Sequence, residues 1–375
     1  MPLLLQAKPA TVLKESSFTT ACPLFLYIME WNSKEIIEKW RLFFRERKLP
    51  YDVTKTYMKY VSNIIMNKAV VIFDFEHLRM LLGVDADYLK SIIYAPEYHY
   101  REFKIKKRSG GERTISAPYY SLKQVQGWIY DNVLSEVPIH RCAHGFRPKR
   151  SIFSNVNLHL RGNDLLKVDL KDFFPSIKKN RVVQVFKKLG YAKDVAFYLA
   201  SICCQNEELP QGAPTSPVIS NIVAIHMDTR LHNLAKHFGF HYTRYADDIA
   251  FSGNSIPTRF IQYVISVIIE CGFEVNNKKV RLYHQNDNKI LTGIRIKDGQ
   301  TKLPREKRRF IEQQIYYVLR YGVDAKSENG KTSIQHIQSV CGMAMFWQTV
   351  EPNNIRIKEN VAQLTDLLHK LYEGR

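Results

Sequence analysis

His241-Tyr242-Thr243-Arg244-Tyr245-Ala246-Asp247-Asp248-Ile249-Ala250-Phe251 is the stretch whose reading decides the fold. Apolar and aromatic residues fill both arms and two carboxylates sit at the centre. This is the pattern of a short β-hairpin with its acidic residues at the bend. Adjacent carboxylates repel, so without a counter-charge one would take up a proton or the turn would open. The pair therefore points to a cation, and hard oxygen donors suit Mg²⁺. Asp is also a common turn residue, so a solvated Asp-Asp turn explains the same letters. The rest of the chain decides between the two.

Upstream, Leu165-Leu166-Lys167-Val168-Asp169-Leu170 alternates as a strand, with Leu166, Val168 and Leu170 on one face and Asp169 on the other. A turn with two bulky rings follows, Lys171-Asp172-Phe173-Phe174-Pro175-Ser176, and Asp172 competes with Asp169 as the acidic candidate. The Pro- and Gly-rich loop Leu209-Pro210-Gln211-Gly212-Ala213-Pro214-Thr215-Ser216-Pro217 leads into a helix through Asn221 and Met227. Its small residues would let a sugar or base lie against the backbone, although an ordinary helix-entry loop reads the same way.

Earlier still, Phe103 to Lys107 and Arg113 to Ser116 read as alternating strands around Ser109-Gly110-Gly111. This almost wholly positive finger can reach phosphates, or it is basic for solubility alone. Arg141 to Ser151 is a second basic loop. Ser151 opens a helix through Asn155 and His159, which share a face at i and i+4. A histidine so placed is more often structural than a ligand.

The flanks are helical. Residues 1–30 show no sustained periodicity, Ser33 is a plausible N-cap, and helical segments follow over Lys55 to Lys68, Asp74 to Tyr94 and Ser121 to Val133. Beyond the acidic bend, Ile256 to Cys271 is an amphipathic helix, Gly272 to Val280 returns as a strand, and Ile290 to Ile296 is part of a hairpin. From Thr301 the chain is basic and helical, with Arg305, Lys307, Arg308 and Arg309 crowding the entry of a helix that runs to Tyr321. Helices near Ser333 to Trp347 and Ile355 to Tyr372 complete a C-terminal bundle, so the chain reads as α+β.

With 55 basic residues against 36 acidic ones, the formal charge of +19 calls for a polyanion. Nucleic acid is the leading partner and an anionic membrane surface the second. No apolar run approaches the length of a membrane span, and Met1 to Leu5 is too short for a secretory signal, so a cytosolic protein is expected. The six cysteines lack C-x-x-C spacing, which argues against disulfides and zinc.

If the strand carrying Asp169 neighbours the hairpin carrying Asp247 and Asp248, their carboxylates converge. They could then hold two Mg²⁺ ions roughly 3.5–4 Å apart, the arrangement used in phosphoryl transfer. In chain order, Asp169 to Ser176, Leu209 to Pro217 and Tyr245-Ala246-Asp247-Asp248 resemble the catalytic motifs of reverse transcriptases, over about residues 98 to 350. The resemblance implies a right-hand polymerase: a helical N-terminal extension over residues 1–97, fingers over 98–165, a palm with antiparallel sheet and helices over 166–300, and a helical thumb over 301–375. By the same likeness Asp169, Asp247 and Asp248 match the metal triad, and Mn²⁺ can substitute for Mg²⁺. Phe174 matches the residue that excludes a ribose 2′-OH, Gln211 and Gly212 the nucleotide pocket, and Arg113 with Lys106 the triphosphate-binding finger for dNTPs. Lys279 falls near the pyrophosphate position, with Val280 where Thr is usual.

Within that family, Asn155-Val156-Asn157-Leu158-His159 and Leu291-Thr292-Gly293 are similar to two elements of bacterial retron reverse transcriptases, each departing by one aliphatic substitution. This implies an enzyme that binds a structured noncoding RNA, primes from a guanosine 2′-OH, and makes branched RNA–DNA (msDNA). It also implies an effector protein in antiviral defence, and template removal by a host RNase H. Asn155, His159, Thr292, Gly293, Arg305, Lys307, Arg308 and Arg309 are the expected RNA contacts. A group II intron-like or other bacterial reverse transcriptase is the rival enzyme, and an inactive RNA-binding scaffold the rival without chemistry.

Overall fold

The computed structural model describes residues 32–106, 110–322 and 333–373. The leader expected over residues 1–30, and Lys107 and Ser109 of the basic finger, lie outside the described residues. The chain forms two compact units. The first comprises residues up to Phe146 together with Lys171–Thr229 and Ile268–Glu274; the second comprises Arg147–Leu170, Arg230–Val267 and residues from Val275 onward.

The first unit opens with helices Ser33–Glu46 and Tyr51–Met66, closed around Trp40, Phe44 and Phe73. The segment expected to be helical from Asp74 to Tyr94 is two helices, Phe75–Leu82 and Ala86–Tyr94. Gly83 ends the first in the left-handed region (φ 65°), and Asp85 accepts from the Tyr88 N–H to cap the second. Strands β1 (Tyr100–Lys106) and β2 (Glu112–Pro118) pair antiparallel as a ribbon whose outer part is exposed. Helix Lys193–Cys203 packs against Ala86–Tyr94, Tyr120–Ile129 and Lys179–Lys188, burying Leu89, Leu122, Phe186 and Leu199.

The second unit is organised by a sheet with β3 (Asp164–Lys171) at its centre. Its other strands are β4 (His241–Tyr245), β5 (Asp248–Gly253), β6 (Glu274–Val275) and β7 (Arg281–Tyr283), in the order β4-β5-β3-β6 with β7 also pairing to β3. The alternation read from the sequence holds. Leu166 and Val168 of β3 lie with Phe251 and Ile249 of β5 on one face, where Phe251 packs edge-on to Phe260 of helix Thr258–Glu270. On the other face, Leu165 and Ala250 join a core that includes Leu291, Ile294, Ile311, Ile315, Ile337, Trp347 and Ile357. That core belongs to a small sheet, β8 (Lys289–Leu291), β9 (Ile294–Lys297) and β10 (Gln300–Lys302), and to helices Arg305–Tyr321, Ser333–Val350 and Ile355–Glu373.

One expected strand is not continuous. Gly272 to Val280 contains only the two residues of β6, followed by a 3₁₀ turn over Asn277–Lys279. The break redirects Lys279, with a consequence for the acidic centre.

Candidate active site

The bend is built as the sequence implies. Tyr245 pairs with Asp248, so Ala246 and Asp247 form a two-residue turn. Ala246 sits at φ 57°, a conformation that costs a residue with a Cβ roughly 1 kcal/mol. Arg244, whose side chain is wholly buried, donates from its guanidinium to the Ala246 carbonyl at 3.1 Å and braces the turn.

Register then does the assembling. Asp169 of β3 lies directly opposite Asp248 of β5, so the two project from one face with Cβ atoms about 5 Å apart. The Leu170 N–H donates to the Asp247 carbonyl at 2.9 Å, which fixes the third aspartate against the end of β3. Asp169 is almost fully buried. The Asn276 N–H donates to its carbonyl at 2.9 Å, and the Asn276 side-chain amide donates to Oδ1 at 3.3 Å.

The counter-charge demanded by adjacent carboxylates is present as lysines. Lys279 Nζ, delivered by the 3₁₀ turn, donates to both carboxylate oxygens of Asp169 at 3.0 Å. Lys167 Nζ lies 3.0 Å from Asp248 Oδ1. Among the described residues no three His, Cys, Asp or Glu side chains form a group able to hold a metal. The opposed pair is Asp169 and Asp248, and Asp247 is positioned through its backbone. The two opposed carboxylates of Asp169 and Asp248 are hard oxygen donors of the kind a divalent cation takes. Asp172 belongs to the first unit, where it is exposed at φ 44° and lines an open groove with Lys171, Pro175, Lys178, Ile269 and Phe273.

The expected nucleotide-binding residues divide between the units, with Lys279 in the second. In the first, the Ser116 N–H donates to the Gln211 carbonyl at 2.8 Å, docking the loop on β2. Gly212, at φ 136°, is required there because a Cβ would stand 2.6 Å from the Ser116 carbonyl oxygen. The closeness foreseen for a ligand is thus used by a strand. Phe174 is half-buried against Phe146 and Phe173, with ring centroids at 5.9 and 5.5 Å.

Lys106 and Arg113 do not share a face. Arg113 lies opposite Ile105 and Lys106 opposite Glu112, so their side chains leave opposite faces of the ribbon. Ile115, on the Arg113 face, is the side chain nearest Gly212, which places Arg113 rather than Lys106 on the side of the 211–212 loop.

The expected RNA contacts need a larger correction. The helix opened by Ser151 is Ile152–Asn157 and stops short of His159. Asn155 and His159 are both buried, and the two His159 ring nitrogens lie 2.7 Å from the hydroxyls of Ser252 and Thr243. His159 is an internal brace across β4 and β5, so neither residue offers a surface to RNA. Thr292 and Gly293, both at positive φ, form the tight turn between β8 and β9. Arg305, Arg308 and Arg309 are exposed, whereas Lys307 is partly buried with its Nζ 4.2 Å from the centre of the Phe346 ring.

Sequence reading missed Arg244, Asn276 and Lys167. Lys167 was recoverable, since two residues before Asp169 on a strand means the same face. Asn276 was not, because its contact depends on the break after β6.

An antiparallel sheet presenting opposed aspartates beside a tight acidic bend, with helices on either face, is the fold of a right-hand polymerase. Residues 105–314 match the family described as reverse transcriptase (RNA-dependent DNA polymerase). Similar curated proteins include the retron Ec86 reverse transcriptase of Escherichia coli, 32% identical over 68% of this chain and 81% of that protein. The retron Mx65 reverse transcriptase of Myxococcus xanthus is 34% identical over 71% and 66% respectively. Among solved structures, Candida albicans telomerase matches at a TM-score of 0.40 and 10% identity, over 78% of this chain and 63% of that one, a likeness too loose to carry weight. The chain belongs to the reverse transcriptase family, as an RNA-directed DNA polymerase of the bacterial retron type. Membership implies dependence on a divalent metal. No helix among the described residues is long and apolar enough to cross a membrane.

Proposed function

We propose that this reverse transcriptase binds a cognate structured noncoding RNA, primes from a guanosine 2′-OH within it, and extends that hydroxyl with dNTPs into branched RNA–DNA. The single observation behind the chemistry is the pairing of Asp169 with Asp248, with Asp247 held at the strand end by Leu170. Asp169, Asp247 and Asp248 hold two Mg²⁺ ions, or Mn²⁺ in their place. When bound, the ions supply activation of the primer hydroxyl and neutralisation of the leaving pyrophosphate.

The chain's own residues do the rest. Arg113 steadies the triphosphate, Gln211 and Gly212 line the nucleotide pocket, and Phe174 blocks a ribose 2′-OH. Lys279 leaves Asp169 and faces the pyrophosphate, where its Nζ–H is placed to donate. The fingers over residues 98–165, palm over 166–300 and thumb over 301–375 follow this assignment, with residues 1–97 as an extension. Arg305, Arg308 and Arg309 grip RNA phosphates. Retron kinship supports a partner effector in antiviral defence, and degradation of the copied template by a host RNase H.

The test is Asp247→Asn combined with Asp248→Asn in purified protein with its RNA. DNA synthesis is lost while RNA affinity stays within about twofold, since neither carboxylate contacts phosphate directly. DNA made by the double variant would remove these residues from the chemistry. Sequencing the copurifying nucleic acid, with detection of a 2′–5′ branch, tests the priming.

A further inference from the structure

Two lysines pair with the opposed carboxylates of the acidic centre, and they are held differently. Lys279 stands on a short 3₁₀ turn with its side chain half exposed, free to leave. Lys167 stands in the middle of β3, paired with Ala250 on one side and Arg281 on the other, and its side chain is only 25% exposed. Its backbone cannot move without breaking the central strand.

The local arrangement directs this charge to one place. Asp169 and Lys167 project from one face of β3, and Asp248 from the same face of β5. Ala250, directly opposite Lys167, carries only a methyl group, which leaves the lysine stem room to cross diagonally to Asp248. Arg281, opposite on β7, is a like charge that disfavours the other direction. Lys279 already occupies Asp169, so Asp248 is the carboxylate left for Lys167.

We propose that Lys167 is a built-in counter-cation: a positioning residue that holds the Asp248 carboxylate beside Asp169 before a divalent ion arrives, and is displaced from it on loading. Directly opposed carboxylates destabilise a strand pair, and Lys167 offsets that repulsion in the metal-free enzyme. The lysine therefore competes with the metal for Asp248. The inference rests on the metal role proposed for the aspartates.

Lys167→Met keeps the length of the stem and removes the charge. In EDTA its melting temperature falls a few degrees below wild type, and saturating Mn²⁺ closes the gap. Calorimetric Mn²⁺ affinity rises about three- to fivefold, because no lysine has to be displaced. Lys167→Arg returns both properties toward wild type. Unchanged or weaker Mn²⁺ binding in Lys167→Met, or no recovery with Lys167→Arg, overturns the proposal. Asp248→Asn separates the two ideas. If it loses Mn²⁺ binding while Lys167→Met matches wild type, only the lysine role falls. If Asp248→Asn binds Mn²⁺ like wild type, the metal reading falls with it.

Discussion

Two hairpins carry the charged residues that matter most, and they contrast. The β4–β5 hairpin is covered on both faces, turns in two residues, and has its polar groups matched: Arg244 to the turn carbonyl, His159 to Thr243 and Ser252, Lys167 to Asp248. The β1–β2 ribbon is exposed over its outer length and its charged side chains face solvent. Burial drives polar groups to find partners, which narrows a covered hairpin to one arrangement. An exposed ribbon has only its register to say where a side chain points.

The contrast can be tested from its strongest consequence down. Asp169→Asn lowers primer extension about a thousandfold or more, with circular dichroism unchanged, because the acidic centre acts as a unit. His159→Ala leaves two buried hydroxyls without their partner and costs about 2–3 kcal/mol, read by urea unfolding, while RNA affinity holds. A loss of RNA affinity without a loss of stability would restore His159 to the RNA surface. On the exposed ribbon, Arg113→Ala raises the dNTP KM about tenfold, and Lys106→Ala changes it by less than about twofold. Equal effects would mean the ribbon twists enough to bring both side chains to one face. The C-terminal bundle is tested by its response to salt rather than by rate or KM. Neutralising Arg305, Arg308 and Arg309 together flattens the salt dependence of RNA binding by about one unit of slope per residue, and Lys307→Ala adds little because Phe346 already holds that side chain.

The same contrast explains what the letters disclosed. The alternation of Leu166, Val168 and Leu170 against Asp169 is enforced by a two-sided sheet, so strand, face and the meeting with Asp248 were all readable. Gly212 was readable as a close approach, but not which backbone approaches it, since Ser116 lies far away in sequence. Helical spacing predicts a shared face for Asn155 and His159, with a structural histidine the commoner case; the helix ends at Asn157 and tertiary packing turns the ring inward. Lys106 and Arg113 look alike as charges on a basic finger, and only the register of the ribbon separates them.

The central claim is that Asp169, Asp247 and Asp248 jointly hold the divalent ions. Its most direct test is a Mn²⁺ titration of purified enzyme with RNA and a non-hydrolysable dNTP analogue, read by electron paramagnetic resonance. Wild type is predicted to take up about two ions at this site, and Asp169→Asn fewer or with much weaker affinity. An unchanged number of ions bound with unchanged affinity in Asp169→Asn would contradict the account.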